Sequence, residues 1–310
     1  LNLKEVFTMN IQRISELPAL PPRPENSHKG TFGKVLVIAG SPGMSGAACL
    51  AGMGALRGGA GLVFLAIPES IQAIVSTVNP CYLTIPLPID QQGHLSKESE
   101  AQFIDQIHGF DAVSIGPGCG QHPWIQNLVL QLYTELKQPL IVDADALNAL
   151  AASDKPLPTA AGPRILTPHP GEFSRLINKP IKEIGQQREE LAIAFAQQHQ
   201  AVLVLKGAQT VITDGTRIAI NATGNSGMAT GGSGDVLTGL ITALVGQKMP
   251  AFAAAQLAAH LHGLAGDLAA QDMSEPALIA SDLADYLPEA WLHLLPTQAG
   301  QALPEITYID

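Results

Sequence analysis

Short blocks of consecutive apolar residues, rich in β-branched side chains, recur along the chain from residue 34 onward. Val35–Ala39 closes at Gly40 and the turn Ser41-Pro42-Gly43, and Leu62–Ile67, Ala112–Ile115, Leu140–Val142, Ile165–Leu166 and Val202–Leu205 repeat the form. Blocks without polar alternation have to be covered on both faces. Most are followed by a turn and a helical stretch, so they predict a mainly parallel sheet between layers of helices. A helix of small residues is expected over Gly46–Arg57. Thr210–Thr213 and Arg217–Ile220, split by Asp214-Gly215, predict a β-hairpin, because Asp-Gly favours the tight turns that join antiparallel strands. The last third predicts helices over Gly234–Val245, Ala251–Ala270 and Ser281–Leu294.

Before the first block stands the proline-rich run Leu17–Pro24, whose fixed φ angles and missing donors predict an extended surface arm over residues 1–33. No linker after it divides the chain, so residues 34–310 are expected to form one α/β domain. Composition narrows the functional classes. With 46% hydrophobic and 14% charged residues, a large core is affordable and general disorder is excluded. A net charge of −10 without a Lys/Arg cluster argues against nucleic acid and for small ligands. No uncharged apolar stretch reaches the length of a membrane span, and no apolar run leads to a signal-peptide cleavage site. Cys49, Cys81 and Cys119 lack zinc spacing and are odd in number, so free thiols in a reducing cytoplasm are expected. The chain opens on Leu1, and Met9 is an alternative start.

In open α/β sheets ligands gather at the carboxyl ends of the strands. Four polar or glycine-rich segments fall there: Gly40–Gly46, Gly116–Gly120, Asp143–Asn148 and Thr167–Glu172. The strongest chemical signal is Asn221–Gly239, a glycine-rich stretch that opens into a helix. Glycines let backbone approach a phosphate, and the first helical turn offers unsatisfied amides and the positive dipole end. Asp235 falls in that turn, where a carboxylate can take a proton from an attacking hydroxyl; the plainer reading is a residue favoured by the helix dipole. No GxxxxGK[ST] is present, so this is not a Walker loop. Gly40-x-x-Gly43-x-x-Gly46 is not the dinucleotide GxGxxG, and Ile67 is followed by Pro68 instead of an acid, which argues against a hydride-transferring Rossmann enzyme. Glu172 could hold Mg²⁺ through its waters and His169 could donate to a phosphate or amide. Lys206 could serve a phosphate or face solvent at a plain turn. Asp143 could reach phosphates or metal, while Asp145 reads equally as a helix cap. His260 and His262, two apart on a helix, do not share a face.

Gly231-Gly232-Ser233-Gly234-Asp235-Val236-Leu237-Thr238-Gly239 resembles the anion-hole signature of ribokinase-like small-molecule kinases. Gly30–Lys34, Ala39–Ala47, Gly116–Gly118, Asp143–Asn148, Leu166–Phe173 and Leu205–Thr210 follow in the order found in the ADP/ATP-dependent NAD(P)H-hydrate dehydratases. His169-Pro170-Gly171-Glu172 replaces the Asn-x-x-Glu of sugar kinases, as it does in that family.

The resemblance implies a ribokinase-like three-layer α/β/α sandwich with a mainly parallel sheet. It places the adenine nucleotide along Lys206, Gly207, Ala208, Gln209 and Thr210 and over Gly231, Gly232, Ser233 and Gly234. It places the hydrated nicotinamide nucleotide at Ala47, Gly118, His169 and Asp235, with Asp235 as base. Mg²⁺ is the implied metal and ADP the leading phosphoryl donor, with ATP as the alternative. The implied reaction is dehydration of (6S)-NADHX or NADPHX to NADH or NADPH by phosphorylation of the hydrate hydroxyl and elimination of phosphate. The alternative is a kinase of a thiazole or pyrimidine alcohol on the same fold. A homotetramer is usual in the family. The region before residue 34 is too short for the epimerase often fused to these enzymes, so a separate epimerase is the expected pathway partner.

Overall fold

The computed structural model of the chain describes residues 11–88, 97–153 and 157–295. Residues 1–10 of the expected arm and 296–310 of the expected domain therefore lie outside the description. The strands are β1 (Gln12–Arg13), β2 (Lys34–Ile38), β3 (Leu62–Pro68), β4 (Leu83–Leu87), β5 (Ala112–Ile115), β6 (Leu140–Val142), β7 (Arg164–Leu166), β8 (Val202–Leu205), β9 (Val211–Thr213) and β10 (Arg217–Ile220). The helices are α1 (Ser45–Arg57), α2 (Glu69–Val78), α3 (Lys97–Ile107), α4 (Pro123–Glu135), α5 (Ala144–Ala151), α6 (Pro170–Ile177), α7 (Ile181–Gln186), α8 (Arg188–His199), α9 (Ser233–Gly246), α10 (Ala251–Met273) and α11 (Ala280–Leu294).

All these strands join one sheet in the order β1-β10-β9-β8-β7-β6-β5-β2-β3-β4. Every pairing is parallel except the two that β9 makes with β8 and β10. Strands β5 to β8 are wholly buried, and apart from Ser114 and Arg164 they are apolar. One face packs on α1, α2, α9, α10 and α11, and the opposite face on α3 to α8, each with its own apolar core. The result is the expected three-layer α/β/α sandwich.

Two strands were not foreshadowed by apolar runs. Pro86 sits inside β4, and proline withholds a donor; the strand is tolerable because it forms the free edge of the sheet. Gln12–Arg13 of the arm adds the opposite edge, parallel to β10. The rest of the described arm lies along the surface, where Arg23 donates to Gly59 O at 2.7 Å and stacks over Phe32 at 4.0 Å.

The chain runs outward from β2 to β4, then returns to place β5 on the other side of β2. That reversal opens a crevice between the carboxyl ends of β2 and β5. Helix α9 is held beside it by α1 through backbone-to-backbone contact. A Cβ at Gly54 would collide with Val236 O, and one at Gly239 would collide with Ala51 O. Only glycine lets these helices approach so closely, and the contact fixes where the first turn of α9 stands.

Candidate active site

At the crevice the two loops are zipped together. Gly40 N donates to Pro117 O at 2.8 Å, and Ser41 Oγ donates to Gly118 O at 2.8 Å. Gly118 has φ +60°, and a Cβ there would lie 2.8 Å from Ala47 Cβ, so the expected Ala47–Gly118 pair is in direct apposition. Any side chain at Gly118 would fill the gap over the turn.

Further along the sheet edge lies a cavity of about 660 Å³, the size range of small-ligand sites. Its wall contains Lys206–Thr210, Ser233, Gly234 and His169, joined by Asn221–Ser226 and by His262 and Gly263 from α10. Gly231 and Gly232 stand just outside that wall and lead into α9. Gly232 is its N-cap with φ +94°, a left-handed backbone that glycine adopts without strain. The helix begins at Ser233, one residue before its expected start, and Asp235 is still in its first turn. Among the described residues, no hydrogen-bond acceptor meets the amides of Gly231, Gly232 or Gly234. The Ser233 amide, expected to share in the anion hole, instead turns back to Thr230 O at 3.4 Å.

Asp235 stands between crevice and cavity. Its charge is felt by Cys119, next to Gly118, and by Lys206 on the cavity side. Burial, followed by the negative charge of Asp143, pushes its carboxyl up to about 7, and Lys206 only partly offsets this. No hydrogen bond from a described residue reaches that carboxylate, which leaves it open to a substrate proton.

Asp143 is 1% exposed, and both its oxygens are engaged. Lys206 Nζ donates to Oδ1 at 2.7 Å and Thr238 Oγ1 donates to Oδ2 at 2.7 Å. Here Asp143 holds Lys206 in place. Burial works against the Lys206 ammonium, but Asp143, Glu172 and Asp235 outweigh it and hold it above its ordinary range. The alternative of a solvent-facing lysine at a plain turn is thereby excluded. Gly234 faces this ammonium, since a Cβ there would come within 3.1 Å of Nζ.

His169 caps α6. Its Nδ1 accepts from Gly171 N at 2.9 Å and from Glu172 N at 3.2 Å, so the neutral ring carries its proton on Nε2. Burial and then Lys206 hold its pKa below the usual value, which keeps the ring neutral near pH 7. It is therefore a half-exposed Nε2–H donor. Glu172 completes the capping box by accepting from His169 N at 2.8 Å. Burial raises its carboxyl, and Lys206 Nζ lies 3.9 Å away.

The family model described as NAD(P)H-hydrate dehydratase matches residues 35–289. The chain belongs to the NAD(P)H-hydrate dehydratase family. A Bacillus subtilis relative named ADP-dependent (S)-NAD(P)H-hydrate dehydratase is 38% identical over 88% of this chain and 94% of its own length. The crystal structure of the B. subtilis ADP/ATP-dependent NAD(P)H-hydrate dehydratase, co-crystallised with ATP and Mg²⁺, matches with TM-score 0.77 and 35% identity. That match covers 89% of this chain and 95% of that one. A ribokinase-like superfamily protein from Enterococcus faecalis matches with TM-score 0.78 and 25% identity over 91% of this chain and 96% of its own, so the fold is ribokinase-like. The bifunctional NAD(P)H-hydrate repair enzyme of Moorella thermoacetica is 46% identical over 87% of this chain but only 51% of its own length. The chain thus spans about half the length of several curated relatives it matches.

Several residues that shape this dehydratase-family site carry no local signal in the sequence. His262 is buried, and burial depresses it to about 4, so it is neutral. Its Nε2 lies 2.9 Å from Ser233 O, and a carbonyl only accepts, so that nitrogen bears the proton and braces the start of α9. Arg188 of α8 donates to the carbonyls of Leu205, Lys206 and Ala208 and supports the Lys206–Thr210 loop from behind. Asp267 of α10 accepts from Gly224 N at 2.8 Å and Asn225 Nδ2 at 3.0 Å, pinning the opposite wall. The three cysteines are free, with Cys81 exposed and Cys119 buried. No helix among the described residues is long and apolar enough to cross a membrane.

Proposed function

We propose that the protein dehydrates (6S)-NADHX and NADPHX with ADP as phosphoryl donor. The observation that carries this reading is Asp235: an unengaged carboxylate tuned to about 7, in the first turn of α9 and beside free glycine amides. A base of that pKa is matched to a hydroxyl substrate at neutral pH. Asp235 takes the hydroxyl proton as the oxygen bonds to the terminal phosphorus and the bond to the departing nucleotide breaks. The amides of Gly231, Gly232 and Gly234, with Lys206, meet the charge on the transferred group. The lone pair of the ring nitrogen then expels phosphate, and loss of a proton from the neighbouring ring carbon restores the double bond. In this reading His169 Nε2–H donates to the acceptor.

Asp143, Glu172 and Asp235 all act on one ammonium, that of Lys206. This excess of carboxylate suits a hydrated divalent cation. Glu172 would hold Mg²⁺ through its waters, and the ion would neutralise phosphate charge when bound. A homotetramer completes the reading.

The test is to mix protein, Mg²⁺, hydrated NADPH and either ADP or ATP and to follow absorbance at the NADPH band. A nucleotide-dependent rise supports the reading, and the faster nucleotide identifies the donor. A flat trace with both, accompanied by phosphorylation of a vitamin-precursor alcohol, would move the protein to the kinases.

A further inference from the structure

The segment Gly116–Gly120 is tied on one side to the Gly40–Ser41 turn and on its other side to a single carboxylate. Gly120 N donates to Asp145 Oδ2 at 2.8 Å, Gln121 Nε2 donates to Asp145 Oδ1 at 3.2 Å, and the same Nε2 donates to Asp145 O at 2.8 Å. Asp145 lies in the first turn of α5, yet these side-chain bonds go to the neighbouring loop and not to the amides of its own helix. The backbone leading into it is unusual. Ala144 has φ +49°, a left-handed angle that L-residues with a Cβ adopt at a cost, and Gly116, with φ +131°, packs so tightly that a Cβ would collide with Asp143 O. Cys119 N closes the loop on Gly116 O at 3.1 Å.

We infer that Asp145 is a positioning residue for the acceptor half of the site, holding the Gly118 loop against α5 and setting negative charge beside Asp235. This rests on the proposed function. Gly118 must face Ala47 across a gap of fixed width, and the Asp145 bonds stop the loop from swinging away from it. The charges that act on Asp235 come from Asp143, Lys206, Asp145 and Glu172, in that order, and those of Asp143 and Lys206 are already matched to each other. Asp145 is therefore a negative charge that keeps Asp235 basic. It touches no reacting atom.

Two substitutions separate these contributions. Asp145→Ala removes the tie, and the KM for the hydrate rises about tenfold, the effect of losing the two bonds to the carboxylate, while the KM for ADP stays as in the parent. Asp145→Asn keeps an acceptor for Gly120 N but removes the charge. Its KM for the hydrate stays near the parent value, and the acidic limb of its kcat–pH profile moves to lower pH, because Asp235 loses a proton more readily. A residue that only stabilised α5 would lower the melting temperature and move neither the KM of one substrate alone nor the limb. Equal losses for both substrates in Asp145→Ala, or an unmoved limb in Asp145→Asn, overturn the inference; the Asn variant decides if the Ala variant does not fold. A parent chain without turnover overturns the dehydratase reading together with this one. An active parent with unchanged variants overturns this one alone.

Discussion

Asp235 carries two opposed consequences of burial. Its carboxyl stands at about 7 in the fold against 3.8 for an ordinary aspartate, so the native state binds that proton more tightly than the unfolded chain. The contribution is harmless below pH 4, turns destabilising as pH rises between those values, and is fully present above about 7. Asp235→Asn should therefore melt a few degrees above the parent at pH 8, with the difference vanishing as the pH falls toward 4; differential scanning calorimetry across that range checks it. The same substitution should lower kcat by two or more orders of magnitude while leaving nucleotide binding by titration calorimetry intact. In the parent, kcat should climb with pH through about 7 as the base is freed. His169→Ala removes both a donor to the acceptor and the cap of α6. It should raise the KM for the hydrate, and it should cost about 1 kcal/mol of stability, measurable by denaturant titration.

At the scale of elements, the contact of α1 with α9 decides whether the site assembles. Gly54→Ala or Gly239→Ala would drive these helices apart, with a loss on the order of 3 kcal/mol or more and a fall in activity out of proportion to the distance from substrate. A double variant should cost less than the sum, because one displacement relieves both collisions; a stability cycle measures that coupling. The sequence showed the buried strands because their runs are almost wholly apolar, and it showed the anion hole because phosphate contact demands glycine in a local run. It did not show β4, where Pro86 masks an edge strand, nor the two-residue β1. Lys206, His169 and Glu172 were legible as loop residues, but the pairing of Lys206 with Asp143 joins positions 63 apart. His262, Arg188 and Asp267 were illegible for the same reason: each acts on backbone atoms of a distant segment, and backbone atoms leave no residue-type signal.

For the molecule as a whole, a net charge of −10 would, on the proposed function, meet substrates that are themselves polyanions. Long-range repulsion slows their encounter, and salt screens it. In Mg²⁺-saturated assays kcat/KM should thus rise as ionic strength goes from about 20 to 150 mM, opposite to the trend of an enzyme that steers its ligands electrostatically. The topology divides the labour of the site. On the proposed function, the acceptor walls come from loops at the reversal between β2 and β5, and the donor walls come mainly from the chain after β8, joined by His169 after β7. In that reading helix α9 serves both, with Gly234 turned to Lys206 and the next residue, Asp235, acting on the acceptor. An α-helix advances about 100° per residue, so these neighbouring positions read out two ligands as adjacent teeth of one gear. A single residue inserted between Gly232 and Ser233 that advanced the helix by one position would leave every side chain of both sites present in the chain, yet would put Gly234 where Asp235 stands and carry the carboxylate a further 100° round to the buried place of Val236, so that frame, more than composition, is what natural variation in this loop has to preserve.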